Sequence, residues 1–333
     1  MIKGIEIEGY FCRILMDTPS TQNIKIGISS CLLGENVRFD SGHKKNAYVT
    51  GVLKDYFEFL PFCPEVEIGL GIPREAVRLV SVNGEIRCKG SKNDDLDVTE
   101  KLRDIAEKQR QWHETLCGYI LKKDSPSCGM ERVKIYSGDM PNRKGTGLYA
   151  QKVMENFPCL PVEEEGRLED AHLRENFIQR VYVYSRWKMM RSQRFSITHL
   201  QEFHAKHKYI FMSHNQTKSR MLGALLAENS GSDLGSLADK YLDNMMRTLK
   251  CIASRKNHVN TLQHIQGYLK KYLDAEDKAE LNTVIEDYRK GLLPLIVPIT
   301  LLRHHFRKHP NNYITQSYYM SPHPGELMLL NNI

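Results

Sequence analysis

Ile24-Lys25-Ile26-Gly27-Ile28 runs directly into Ser29-Ser30-Cys31, and that junction decides how the first half of the chain is read. A short alternating apolar run that ends in small polar residues is a strand stopping at a loop. The arrangement recurs twice. Tyr56–Phe62 is apolar and aromatic and ends in Cys63-Pro64-Glu65. Leu116–Leu121 is apolar and is followed by Lys122-Lys123-Asp124-Ser125-Pro126-Ser127-Cys128-Gly129. Between these segments, Asp97–His113 is rich in helix formers. Short strands separated by helical segments predict a parallel α/β sheet. Ligands of open α/β sheets bind beyond the carboxyl ends of the strands. Three cysteines delivered there from three strand ends are placed to meet at one point. A single free cysteine is commonly a small buried hydrophobe; the shared position is what singles out this trio.

The second half changes character. Leu173–Met190 sets Phe177, Val181, Tyr184 and Trp187 at helical spacing, and Thr198-His199-Leu200-Gln201 fits a capping box that opens another helix. Leu234–Ile252, Val259–Leu273 and Ala275–Lys290 are helical in pattern too. The fold class is therefore an α/β parallel-sheet N-terminal domain followed by an all-α C-terminal domain. The expected divisions are an N-terminal extension over 1–21, the α/β domain over 22–165 and the helical domain over 166–333. Pro158, Pro161, the acidic triplet Glu163–Glu165 and Gly166 read as the linker.

With 333 residues, 26% charged and 41% hydrophobic, the chain is long enough for two cores and too apolar for wholesale disorder. Its longest uncharged apolar run, Gly291–Leu302, contains Pro294 and Pro298 and falls short of the roughly 20 residues a membrane span needs. The first residues lack a signal-peptide pattern. The expectation is a cytoplasmic protein with reduced thiols and no membrane partner. Its eight cysteines include no CxxC pair, so zinc ribbons and thioredoxin-like motifs have no support.

Net charge is +7, and it is unevenly placed. From Leu168 onward there are 23 Lys+Arg against 15 Asp+Glu, whereas residues 1–167 are almost neutral. A basic half points to a polyanion, nucleic acid first. Arg174, Arg180, Arg186, Lys188, Arg191 and Arg194 recur along one helical segment, followed by Lys206, Lys208, Lys218 and Arg220. A denser cluster, Arg303, His304, His305, Arg307, Lys308 and His309, precedes Tyr313, Tyr318 and Tyr319. Cations interleaved with aromatics suit phosphate contact and base stacking.

The motifs Ser29-Ser30-Cys31-Leu32-Leu33-Gly34, Cys63-Pro64-Glu65-Val66 and Ser125-Pro126-Ser127-Cys128-Gly129 resemble the thiouracil desulfidase family, over about residues 22–165. The helical half resembles a domain often fused to it. Its marks are Phe203-His204-Ala205-Lys206-His207-Lys208, Gly291-Leu292-Leu293-Pro294-Leu295 and Gln316-Ser317-Tyr318-Tyr319-Met320-Ser321-Pro322. The combination is similar to tRNA 4-thiouridine desulfidases. That resemblance implies a [4Fe–4S] cluster held by Cys31, Cys63 and Cys128, with one iron left open to take the sulfur of the thiocarbonyl. The implied reaction is a non-redox exchange of sulfur for oxygen at C4 of 4-thiouridine, with tRNA as the partner. Glu65, two residues from Cys63, is the expected general base for water, and Ser125 the expected hydrogen-bonding partner, ahead of Ser127. Arg38, His43 and Arg74 are expected on substrate phosphate or the uracil carbonyls, and Arg303, Arg307 and Lys308 on RNA. Cys12, Cys88, Cys117, Cys159 and Cys251 are assigned structural roles. Three other readings are weighed: the same chemistry on free thiouracil or thiouridine, a non-catalytic RNA-binding protein with structural cysteines, and a thiolate nucleophile at Cys128, for which the first half offers only His43 and His113 and no convincing partner.

Overall fold

A computed structural model describes residues 24–137, 140–227, 233–327 and 329–331, so the 1–21 extension and Cys12 lie outside the described residues. The three strands expected from sequence are present: β1 (Lys25–Ser29), β2 (Glu58–Phe62) and, later in the chain, β5 (Gly118–Leu121). With β8 (Val162–Glu164) they form one sheet in the order β2-β1-β5-β8, every pair parallel. Ile26 and Ile28 point into one core and are fully buried, each contributing roughly 1.5–3 kcal/mol of transfer free energy. Because the chain goes from β1 to β2 on one side and returns to β5 on the other, β1 marks a topological switch point.

A second sheet, order β4-β3-β6-β7, was not anticipated. It contains β3 (Val77–Val82), β4 (Glu85–Gly90), β6 (Val133–Tyr136) and β7 (Asn142–Gly145). β3 and β4 are a hairpin closed by Asn83-Gly84, both at positive φ, the conformation that a tight two-residue turn demands. β8 itself overturns the linker reading of the acidic triplet. Glu163, Glu164 and Glu165 are buried because each carboxylate has donors waiting. Arg167 and Arg180 bind Glu163, the Met130 and Glu131 N–H groups donate to Glu164, and Lys122 Nζ and Lys123 N–H donate to Glu165 at 2.5 and 2.7 Å.

The helices of the first half are short: α1 (Ala47–Gly51), α2 (Pro64–Glu67), α3 (Thr99–Lys108), α4 (Arg110–Thr115) and α5 (Leu148–Asn156). The expected helix over Asp97–His113 is thus two helices that meet at Gln109. The second half is helical from α6 (Ala171–Arg191) through α7 (Ile197–His214), α8 (Gln216–Ala227), α9 (Leu234–Leu249), α10 (Arg255–Gln266), α11 (Ala275–Lys290), α12 (Ile296–Lys308) and α13 (Asn312–Thr315). The cap of α7 is Ser196, which accepts from the His199 N–H, in place of the expected Thr198.

α6 joins the halves. Its Phe177, Ile178, Val181 and Tyr182 pack with Ile26, Ile28 and Ile120 of the parallel sheet, while Val183 and Trp187 enter the helical core. The close approach requires Gly118, where a Cβ would sit 2.8 Å from Val181 Cγ2. Three of the six cations of the basic stripe expected to face RNA are spent inside the fold. Arg180 is buried on Glu163, Arg186 donates to the Pro322 carbonyl, and Lys188 donates to the Glu114 and Leu116 carbonyls.

Candidate functional site

Beyond the carboxyl ends of β1, β2 and β5 lies a cavity of about 360 Å3. Cys31, Cys63 and Cys128 all line it. Cys31 sits in a single 3₁₀ turn directly after β1. Cys63 caps α2 directly after β2, and Pro64 starts that helix. Cys128 is brought in by the loop after β5, which is tied to β1 by a Lys122 N–H to Ser29 Oγ bond of 3.0 Å. Two hydrogen bonds to Ser125 Oγ shape the loop, from Cys128 N–H at 3.0 Å and Ser127 N–H at 3.3 Å. The start of α5 closes over it. Gly147 comes so near that a Cβ would lie 2.5 Å from Ser127 backbone atoms.

Burial is the largest influence on all three thiols. Burial pushes Cys31 up to about 11, and it also raises Cys63 and Cys128. Each also feels another member of the trio or Glu65, which adds to the rise. Thiols of this kind are not free thiolate nucleophiles at neutral pH; a metal centre is what turns such groups into thiolates. Three buried or half-buried cysteines lining one cavity are the donor chemistry that an iron–sulfur cluster takes.

Glu65 reaches the same cavity and is fully engaged. Its Oε1 accepts from Ser127 Oγ at 2.6 Å, and its Oε2 accepts from Arg74 Nε and Nη2 at 3.0 and 2.7 Å. The pair is well shielded, with 4% of the Arg74 and 15% of the Glu65 side chain exposed. Arg74 further donates to the Gly71 and Val37 carbonyls. It is therefore the partner of Glu65, and not a free hand for substrate. Ser127, ranked second from sequence, is the serine that touches Glu65; Ser125 stands behind it, 2.9 Å from Ser127 Oγ.

Arg38 lines the cavity and pairs with Asp40 at 3.4 Å. His43 does not line it; its Nδ1 accepts the Lys45 N–H on the surface, and Lys44 stands at the cavity instead. Arg303, Arg307 and Lys308 lie on α12, apart from this site. Arg303 is half-buried and donates to the Met320 carbonyl and Ser321 Oγ, while Arg307 and Lys308 are exposed. Sequence reasoning missed Phe39, a large apolar ring left 40% exposed at the cavity, with the Arg38 guanidinium 5.3 Å from its centre. It also missed the lysines of the rim, Lys44, Lys122 and Lys123. Arg38, Lys44, Arg74, Lys122 and Lys123 line the cavity against two carboxylates, Glu65 and Asp124.

Residues 26–165 match the family described as 2-thiouracil desulfurase, and residues 208–324 match one described as a protein of unknown function, DUF1722. A curated relative, the "Uncharacterized protein YbgA" of Escherichia coli K12, is 27% identical over 131 residues, which span 39% of this chain and 78% of that protein. A solved structure of the [4Fe-4S]-dependent thiouracil desulfidase TudS is 30% identical; the match covers 44% of this chain and 93% of that one, at a TM-score of 0.33. The cysteine-bearing half thus matches the thiouracil desulfidase family in sequence. Among the described residues, no helix is long and apolar enough to cross a membrane.

Proposed function

We propose that this protein exchanges the sulfur of 4-thiouridine in tRNA for oxygen, using a [4Fe–4S] cluster held by Cys31, Cys63 and Cys128. The supporting observation is that these cysteines and Glu65 line one cavity with a cationic rim. Thiolate is the usual protein ligand of iron–sulfur clusters. With three protein ligands, such a cluster supplies an iron open to the soft sulfur of a thiocarbonyl.

The chain's own residues do the rest. Arg74 fixes one oxygen of Glu65, which leaves the other directed at Ser127 and the cavity. Glu65 takes the proton of the water that adds to C4. Ser127 holds that proton on its way to the departing sulfur. The C–S bond breaks, a C–O bond replaces it, and sulfur leaves as sulfide with the protons of water; no electron is transferred. Lys44 and Lys123 hold phosphate at the rim, and Phe39 stacks on the base once it has left its own stack.

The test compares 4-thiouridine-containing tRNA with free 4-thiouracil on anaerobically reconstituted protein, followed by loss of thiouridine near-ultraviolet absorbance. The reading expects turnover on tRNA and a raised KM in Phe39→Ala. Consumption of the free base with tRNA untouched overturns the tRNA assignment and leaves the desulfidation.

A further inference from the structure

Away from the cysteine cavity, the helical half holds a second set of donors. Asp277 and Glu280 stand one turn apart on α11, and His305 lies on the adjacent α12. One ligand atom from each lies within 4.8 Å of the other two. His305 is 2% exposed, yet neither of its ring nitrogens has a hydrogen-bond partner. A neutral imidazole carries one donor and one acceptor, and burying both unmet is costly. Neither carboxylate meets that need, although both lie next to the ring. The arrangement is one in which the satisfying group sits between the three side chains.

We infer that Asp277, Glu280 and His305 form a divalent-cation site separate from the cysteine cavity. Bonds of about 2.0–2.2 Å from one nitrogen and two oxygens are reached by a small closing of this triad. The two carboxylates balance the charge of a divalent ion, and the imidazole gains the partner it lacks. A donor set of imidazole and carboxylate without thiolate selects ions of the zinc or manganese class over softer ones. The bound ion would fasten α11 to α12, the helix that carries the exposed Arg307 and Lys308.

The test uses the full chain and Mn2+, which favours carboxylate and imidazole over thiolate and so leaves the cysteine trio silent. Electron paramagnetic resonance of the free ion reads the binding isotherm. The expected result is about one tight Mn2+ per chain, displaced by Zn2+, with affinity lowered about tenfold or more in His305→Gln and in Glu280→Gln. Glu280 is exposed, so Glu280→Gln keeps the fold even where the buried His305→Gln does not. Absence of a tight Mn2+ in the wild-type chain, or wild-type affinity in Glu280→Gln, overturns the site.

Discussion

Glu65 gains its meaning from its two partners. Arg74 removes one oxygen from play and orients the other, and Ser127 bridges that oxygen to the cysteine loop at 2.6 Å. A glutamine at this position keeps the shape, with its carbonyl oxygen on Arg74 and its amide donating to Ser127 Oγ, but cannot take a proton. We predict that Glu65→Gln retains iron and loses about 10²–10⁴ of turnover; iron analysis beside the rate checks it, and a near-wild-type rate removes the base assignment. The two serines separate in the same experiment. Ser127→Ala should lower kcat with the cluster kept. Ser125→Ala should lose cluster, because Cys128 N–H and Ser127 N–H both rest on the Ser125 hydroxyl. Equal iron and equal rates in the two variants would contradict that division.

β8 shows what buried charge does to an element. Glu163 sits between Arg167 and Arg180, and burial lowers Arg180 to about 10 despite its partner. Removing the carboxylate leaves the Arg180 charge buried without a counter-charge, with only the Asn176 carbonyl oxygen as a partner among the bonds it makes here. Glu163→Ala should therefore destabilise the fold by about 3–5 kcal/mol, read as a shift in urea midpoint; a change below about 1 kcal/mol would mean that Arg180 finds water. The same strand shows where sequence pattern fails. Three adjacent glutamates have no apolar period, and their partners, Arg180, Lys122 and the Met130 N–H, lie far away in the chain. β1, β2 and β5 were legible because each is apolar and ends in a Cys-bearing turn. The β3–β4 hairpin carries a readable signal in Asn83-Gly84. The cysteine trio and Glu65 were legible as motif residues. The roles of Arg74 and Phe39 were not, because they follow from contacts across the cavity.

At the scale of the whole molecule, the helical half is basic in composition but spends much of that charge internally. Arg180 and Lys188 hold the halves together and Arg186 is buried on the Pro322 carbonyl of the helical half itself, which leaves Arg307 and Lys308 among the exposed cations. Reversing both, Arg307→Glu with Lys308→Glu, should weaken tRNA binding and reduce its salt dependence by about two phosphate contacts; an unchanged salt slope would place the RNA elsewhere. The histidines of this chain set a different whole-molecule property. Burial holds His113, His204, His214 and His323 down to about 4 and His258 to about 3. A depressed pKa in the folded state stabilises fully above the ordinary value and is lost as pH falls toward the folded one. Stability should thus drop between about pH 6.5 and 4, by up to about 2 kcal/mol per histidine at pH 5. Glu175, raised to about 7 by burial, works in the opposite direction, as does Glu164, which burial also raises. A urea midpoint that stays level from pH 7 to pH 5 would contradict this.

The most direct test of the central claim is iron content and thiouridine loss measured together, anaerobically, on the wild-type chain and on Cys31→Ser, Cys63→Ser and Cys128→Ser. The account predicts about four irons per wild-type chain, with both the iron and the loss of 4-thiouridine absorbance abolished in each variant. Full turnover in any one variant, or turnover by iron-free protein, would contradict it.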